Sequence, residues 1–297
     1  MRISPAMYRR VAIASLVALV AIVVTGAAVR LTGSGLGCDD WPNCNAEKFI
    51  DVSSTHSAIE QINRLFTGIV VIAVAVAVLG SYVRRGRRSD LIGWSWMLVI
   101  GVFANALLGA LTVWVDLHPY AVQGHMLLSM MLIASGTTLV RRSGERDGST
   151  RTPVGLVLHR RLIYAMASGT VLAIITGTVV TGAGPHAGDE NAVRLDVEIS
   201  SVARVHGASV MLTLLIALVL AMKVRQASEG TALRAGLSRW IFVGIVQALV
   251  GYVQYFTGVP EMLVLAHVTG ASAMAVVTTQ LVLDTSRVQL ESVPASQ

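Results

Sequence analysis

The sequence predicts an all-α integral membrane protein whose eight transmembrane helices form two four-helix bundles, related as parallel repeats. Composition, long apolar stretches and an internal duplication support this fold class. The 297 residues are 54% hydrophobic and only 13% charged, about half the charged fraction of an ordinary globular chain. Such a chain lacks the polar side chains to cover a globule of this size, which excludes a soluble enzyme.

Eight stretches are long and apolar enough to cross a bilayer as helices, which takes about 20 residues each. They are residues 11–31, 61–83, 91–115, 120–140, 162–181, 203–222, 240–259 and 262–283. The run at 69–80 does not alternate apolar and polar residues as a membrane-barrel strand would. The first stretch follows a basic start, as a signal peptide does, but we keep it as a span because a later segment repeats it.

Basic residues are concentrated on one side of the predicted bundle. With the N-terminus inside, 18 of the 23 Lys and Arg residues are cytoplasmic, which places both termini in the cytoplasm of a multi-pass cell-membrane protein. The net charge of +6 therefore does not require a nucleic-acid partner. The five basic residues predicted outside are Arg30, Lys48, Arg64, Arg194 and Arg204.

The chain repeats itself. Residues 8–26 resemble 159–177 at an offset of 151, and the segment ending at His125 resembles the segment ending at His267 at an offset of 142. Because four helices return the chain to the same side, the repeats must be parallel. The predicted units are an N-terminal half at 1–140, a cytoplasmic linker at 141–161, and a C-terminal half with a short cytoplasmic tail at 162–297.

Histidines gather at the outer ends of the predicted helices. His125, His206 and His267 lie a turn or more inside apolar stretches, where an imidazole needs a partner. Facing imidazoles can hold haem iron in a bundle, and a zinc site would be expected to show further closely spaced ligands. The neighbouring Gly124, Gly207 and Gly270 leave room for a flat macrocycle. We interpret His118 and His186 as interfacial side chains. Of the seven histidines, only His159 is predicted on the cytoplasmic side.

In the first half, Asn63 stands where the second half has His206, so one expected ligand is missing. His56 lies seven residues earlier, on the same helical face but about 10 Å outward. Glu60 lies between them. It has two interpretations: an ion pair with Arg64 at i+4, or a reactive carboxylate beside an open iron position.

Cys38 and Cys44 are the chain's two cysteines and share the first outer loop. Disulfides persist outside the cytoplasm, which favours a bond between them; two reduced thiols are the alternative. The enclosed loop is short, so such a bond would shape the loop more than stabilise the fold.

These features together resemble the haem A synthase family over nearly the whole chain. The motifs are RLTGSGLGCDDWPNC, E-x-x-x-R at Glu60, NALLGALTV, and the histidines His125, His206 and His267 in the fourth, sixth and eighth helices. The resemblance implies that two successive hydroxylations of one ring methyl convert haem O to haem A. It implies a haem b cofactor on His206 and His267, a haem O substrate on His125, and Glu60 as the essential acid. Many members have His where this chain has Asn63, so either His56 substitutes or that iron is five-coordinate.

The resemblance also bears on partners and on Arg64, which we expect to bind either Glu60 or a haem propionate. We expect a haem O synthase (a farnesyltransferase) upstream, a membrane electron donor and, as an option, a homo-oligomer, with the haem sites towards the outer face. The alternatives are a b-type electron-transfer cytochrome, which predicts matched His pairs in both halves, and a transporter, which predicts ionisable groups at mid-membrane.

Overall fold

The computed structural model of the chain describes residues 2–153, 156–226 and 231–290. Across these ranges the chain forms eight long α-helices and one short two-stranded ribbon, which confirms the all-α fold class. The helices are α1 (Pro5–Leu31), α2 (Thr55–Val83), α3 (Ser89–Trp114), α4 (Pro119–Ser143), α5 (Val157–Ala183), α6 (Ile199–Gln226), α7 (Thr231–Phe256) and α8 (Glu261–Leu283).

The first two helices begin earlier than their apolar stretches. Ser4 caps α1 by accepting a hydrogen bond from the backbone N–H of Met7 at 3.2 Å. Ser54 and Ser57 form a reciprocal capping box at the start of α2. Capping side chains satisfy the free N–H groups of the first turn, so the cap and not the hydropathy sets where these helices start.

Helix α7 differs most from its predicted span at 240–259. It begins at Thr231, within a polar stretch, and ends at Phe256. Gly258 and Val259 follow with positive φ angles of 81° and 60°, a conformation that stops a right-handed helix. The predicted short turn between the last two helices is present.

Seven of the eight helices are long and apolar enough to cross a membrane. Their outer surfaces carry large exposed apolar side chains, such as Ile72 at 65%, Phe103 at 66% and Phe242 at 69% exposure, as expected of surfaces that face lipid. The chain is therefore a multi-pass membrane protein.

Helix α4 is the exception because Gln123, His125 and several hydroxyl side chains lower its hydropathy. Ser129, Thr137 and Thr138 are buried, and α4 packs against α1, α3, α5 and α8. Its polar groups thus face other helices. Since only four residues join α3 to α4, α4 runs back alongside α3.

The buried side chains form two clusters, one for each half, and the halves also touch, because α8 packs against α1 and α4, and α5 packs against α4. In the first half α1 contacts α2 and α4, and α3 contacts the same two helices; in the second, α5 and α7 each contact α6 and α8. One cluster of buried side chains is drawn from α1–α4 with Ala275 of α8, and the other from α5–α8. This pattern is compatible with two bundles, whereas the repeat relation between the halves stays a prediction.

The ribbon was not predicted. Strand β1 (Ser149–Pro153) pairs antiparallel with β2 (Ser286–Leu290). It joins the segment after α4 to the segment after α8, which were expected to be a linker and a tail. Five-residue strands rich in polar residues give no periodic signal, and their partners are distant in sequence.

Candidate functional site

Four helices begin at one end of the protein, which we call the histidine end. They are α2, α4, α6 and α8, and each carries one predicted site residue within its first two or three turns: Glu60, His125, His206 and His267 respectively. Loops cover this end. We call the α1–α2 loop the first cap and the α5–α6 loop the second cap. The backbone N–H of Gly35 in the first cap donates to the carbonyl of Gly188 in the second cap at 2.8 Å, so the two loops touch.

His206 and His267 face each other across the helices of the second half. Their ring centres are 6.3 Å apart and their planes are 80° apart. Two imidazoles that bind one metal from opposite sides place their ring centres about 6 Å apart, since each metal–nitrogen bond is about 2 Å long. The pair therefore fits the axial ligand set of a haem iron.

Hydrogen bonds at Nδ1 orient the rings of His125 and His206, but not that of His267. Nδ1 of His125 lies 3.0 Å from the carbonyl oxygen of Asn105; because a carbonyl only accepts, Nδ1 carries the proton and Nε2 is left for a ligand bond. Nδ1 of His206 lies 3.2 Å from the hydroxyl of Thr176, which donates its own proton to Leu172. Nδ1 of His267 is buried without a hydrogen-bond partner in the described residues.

A glycine on a neighbouring helix supports each of these rings. A Cβ added at Gly109 would lie 3.2 Å from Cε1 of His125, one at Gly177 would lie 3.2 Å from Cε1 of His206, and one at Gly251 would lie 2.9 Å from Cε1 of His267. Gly109 and Gly251 are related by the same offset of 142 as their histidines. Each ring thus packs directly against helix backbone.

We expect Gly251→Ala to displace the ring of His267 and shift the Soret band of any haem bound there, because real Cβ atoms do not approach to 2.9 Å. Absorption spectra of the purified variant measure this. Gly93→Ala is the control, since a Cβ there meets nothing within 4 Å. Identical spectra for both variants would show that the Gly251 contact does not position His267.

Three glycines were expected to leave room for a macrocycle. There is free space beside Gly124 and Gly207, but a side chain fills the space beside Gly270. A Cβ at Gly124 or Gly207 would meet nothing within 4 Å, whereas one at Gly270 would lie 1.9 Å from Oε1 of Gln247. Gly270 instead admits the Gln247 side chain, whose Nε2 donates to the carbonyl of His267 at 2.7 Å.

A disulfide bond shapes the first cap, as predicted. Cys38 and Cys44 are bonded, with Cα atoms 4.4 Å apart, and each is 1% exposed. Gly37 lets this loop meet α2, because a Cβ there would lie 2.3 Å from the carbonyl oxygen of His56. The disulfide closes the loop on itself, and the close approach at Gly37 sets the loop against the start of α2.

Glu60 and Arg64 join this cap to α2. Oε2 of Glu60 accepts the backbone N–H of Cys38 at 2.8 Å, and Oε1 accepts from Nε and Nη2 of Arg64 at 3.0 and 2.6 Å. The remaining contacts of Arg64 are to the carbonyls of Cys38, Asp40 and Asn43. A guanidinium has five N–H donors, and these contacts use them. Of its two predicted roles, Arg64 has the ion pair with Glu60.

Among the described residues, His56 and Asn63 make no side-chain hydrogen bond or ring contact with His125. His56 is exposed, and its Nδ1 lies 2.9 Å from the hydroxyl of Ser34. No ring contact joins His56 to His125 in the described residues. Oδ1 of Asn63 is buried without a partner there. His56 as a second ligand therefore stays a prediction.

The remaining histidines serve local contacts. His118 is exposed and its ring lies 5.4 Å from that of Tyr120, and Nε2 of His186 lies 2.8 Å from the carbonyl oxygen of Val259. His159 is buried at 2% exposure, near the other end. Within the described ranges, no three His, Cys, Asp or Glu side chains group as a metal site. A metal bound here would therefore need ligands from outside the protein, such as the porphyrin nitrogens that surround a haem iron.

We expect intact-mass analysis to find Cys38 and Cys44 oxidised, since both are buried within one loop. Alkylation should add no mass before reduction and two adducts after reduction and denaturation. A Cys38→Ser/Cys44→Ser variant, which offers no thiol, is the control. Two adducts without prior reduction would contradict the disulfide.

Sequence reasoning missed the glycines that support the histidine rings and the acceptors that orient them. Gly109 and Gly251 stand within NALLG and QALVG, which match each other at the same offset of 142 as the two histidines. A repeated glycine four residues after a polar side chain was the available signal. Thr176 carried no such signal, because its role depends on how α5 packs against α6.

Comparison with known proteins places the chain in a family. The model of the cytochrome oxidase assembly protein family COX15-CtaA matches residues 9–61 and 47–281. A heme A synthase of Listeria welshimeri is 30% identical over 172 residues, 56% of each chain. One from Geobacillus kaustophilus is 32% identical over 105 residues, 35% of this chain and 32% of its own. One from Exiguobacterium sibiricum is 26% identical over 164 residues, 55% of each chain.

The chain thus spans about half the length of the first curated relatives that it matches. The family model covers far more, from the first turns of α1 to the end of α8. It includes the disulfide loop, Glu60 and the half-buried His125, His206 and His267. The chain belongs to the COX15-CtaA family of cytochrome oxidase assembly proteins.

Proposed function

We propose that this protein is a haem A synthase, which oxidises one ring methyl of haem O to a formyl group and so supplies haem A to a terminal cytochrome oxidase. Two successive hydroxylations would give a geminal diol, and loss of water from the diol gives the aldehyde. The relatives described as heme A synthases support haem A synthesis in general. The observation that carries the proposal is the facing pair His206 and His267, with ring centres 6.3 Å apart.

The proposal assigns a cofactor to the second half. His206 and His267 would hold a haem b as its two axial ligands, with Thr176 fixing the tautomer of His206. A bound haem b supplies one-electron redox chemistry, and a membrane electron donor would be its partner. The absence of a third protein ligand among the described residues suits a macrocycle better than zinc.

The first half would hold the substrate. His125 presents Nε2 to the iron of haem O because Asn105 holds its Nδ1 proton. Asn63 offers no imidazole, so the opposite side of that iron is either open or reached by His56. A haem O synthase in the same membrane is the expected source of substrate, with both termini cytoplasmic and the haem sites outward.

Glu60 is the proposed acid of the reaction. It is 6% exposed, so water screens its charge poorly. From its place in the first turns of α2 it could move a proton or stabilise positive charge that develops on the attacked methyl. Its bonds to Arg64 and the Cys38 N–H would hold the carboxylate in one orientation.

A membrane b-type cytochrome without substrate chemistry is the second candidate. The observation that favours it is the environment of Glu60, whose oxygens already accept three hydrogen bonds from Arg64 and Cys38. A carboxylate that only joins the cap to α2 would need no further role. The first half lacks a matched pair of histidines, which counts against the cytochrome.

Co-expression with a haem O synthase separates the two candidates. Haems extracted from the membranes are identified by mass, with the synthase expressed alone as the control. We expect haem A only when this chain is present. Haem O without haem A, despite full expression of the chain, would overturn the proposal and favour the cytochrome.

A further inference from the structure

Two arginines lie together where the caps of the two halves meet. Arg30 is in the last turn of α1, and Arg194 lies in the loop between α5 and α6. A Cβ added at Gly188 would lie 3.3 Å from Cγ of Arg30, so the arginine stem packs on the second cap. Arg194 lies on the same cap, where its Nη2 donates to the carbonyl of Pro185, three residues before Gly188. Like charges are thus brought together.

Neither arginine has a carboxylate partner among the described residues. The other basic residues of this end are engaged: Lys48 lies 3.5 Å from Asp51, Arg64 holds the first cap, and Arg204 donates to Ser201. Arg30 and Arg194 are half-buried. Charges withdrawn from water without a counter-charge cost stability.

Unused donors accumulate at the same place. Nη2 of Arg194 donates to the carbonyl of Pro185 at 2.6 Å, but its Nη1 is buried without an acceptor. The side-chain Nε2 of Gln123 is also buried without an acceptor. It lies 3.1 Å from a Cβ built at Gly182, whose carbonyl accepts from the N–H of Leu195, next to Arg194.

These observations describe a site for an anion with several acceptor oxygens. Two guanidinium groups and one amide supply donors, and guanidinium groups match carboxylates in geometry and charge. Gln123 precedes His125 by two residues, which puts the site beside the histidine end. A haem carries two propionate carboxylates on one edge.

We propose that Arg30, Arg194 and Gln123 bind the propionate carboxylates of a haem held at the histidine end. This inference rests on the proposed function. Arg30 and Arg194 thereby take the propionate-binding role that the sequence analysis allowed for Arg64, whose donors are used by Glu60 and the first cap. The proposed site also explains why unpaired charge is retained: the haem brings the missing counter-charge.

Haem titration of the full chain, produced in haem-limited cells, tests the proposal. The probes are iron protoporphyrin IX and its dimethyl ester, which lacks the negative charges. We expect the native chain to bind the free acid about tenfold to a hundredfold more tightly than the ester. Arg30→Gln and Arg194→Gln should each bring this ratio towards one, with little change for the ester. Arg30→Lys should keep part of the preference, and Arg204→Gln should keep all of it.

Thermal unfolding of the haem-free variants separates binding from structure. Arg30→Gln removes an unpaired charge, so the variant should be at least as stable as the native chain. Equal affinity of the native chain for the free acid and the ester would overturn the carboxylate site but not the proposed function. The same holds if both Gln variants keep the native ratio of acid to ester affinity, or if both fail to fold. If neither porphyrin binds the native chain, the proposed function falls as well.

Discussion

Replacing His206 or His267 with Ala is expected to remove the low-spin haem from the purified protein. Each imidazole would supply one ligand to the proposed haem b, and among the described residues no other histidine ring contacts the pair. We expect the haem retained through purification to fall by about tenfold or more, and any remaining haem to become high-spin. Pyridine haemochrome assay and electron paramagnetic resonance measure the two effects.

His118→Ala is the matched control for this experiment. His118 lies at the same end and is exposed, with its ring against Tyr120 rather than a buried imidazole. It should keep the native amount of low-spin haem. An unchanged low-spin signal in both His206→Ala and His267→Ala would show that the haem b assignment is wrong.

Glu60→Gln is expected to abolish haem A production while the protein folds and keeps haem b. Glutamine is nearly isosteric and can still accept the N–H of Cys38, but it cannot ionise. Arg64 would stay anchored by its three loop carbonyls, so the cap should survive. We expect the conversion rate to fall by about 10²–10⁴-fold, with a partly oxidised haem accumulating. Mass analysis of extracted haems checks this.

Glu198→Gln is the matched control for Glu60→Gln. Glu198 is exposed in the second cap and bonded to Ser200 and Ser201, so its variant should produce normal haem A. Near-normal haem A from Glu60→Gln would count against a catalytic role. Joint loss of folding and haem b would indicate instead that Glu60 acts through the ion pair with Arg64.

The sequence alone predicted the features of the protein that depend on hydropathy and on the internal repeat. The spans, the disulfide and the three site histidines could be named because long apolar runs, a lone cysteine pair and an imidazole within an apolar run each have one dominant physical explanation. Helix starts could not be placed as well, since Ser4 and Ser54 act through capping outside the apolar stretches.

Contacts between distant elements were beyond the sequence. Three of the five donors of Arg64 are used by the carbonyls of a loop more than 20 residues away, which no local pattern encodes. Arg30 and Arg194 looked like ordinary outer-loop charges until α1 and the second cap were brought together. Such clusters depend on tertiary packing, and only their unpaired donors reveal them.

Conversion of haem O by the purified protein tests the central claim most directly. The native chain, loaded with haem O and supplied with an electron donor and oxygen, is sampled over time, and its haems are resolved by mass. We expect a product that has gained one oxygen and lost two hydrogens, formed through a hydroxymethyl intermediate and absent from His125→Ala. Haem O that stays unchanged in a native chain with intact low-spin haem b would contradict the account.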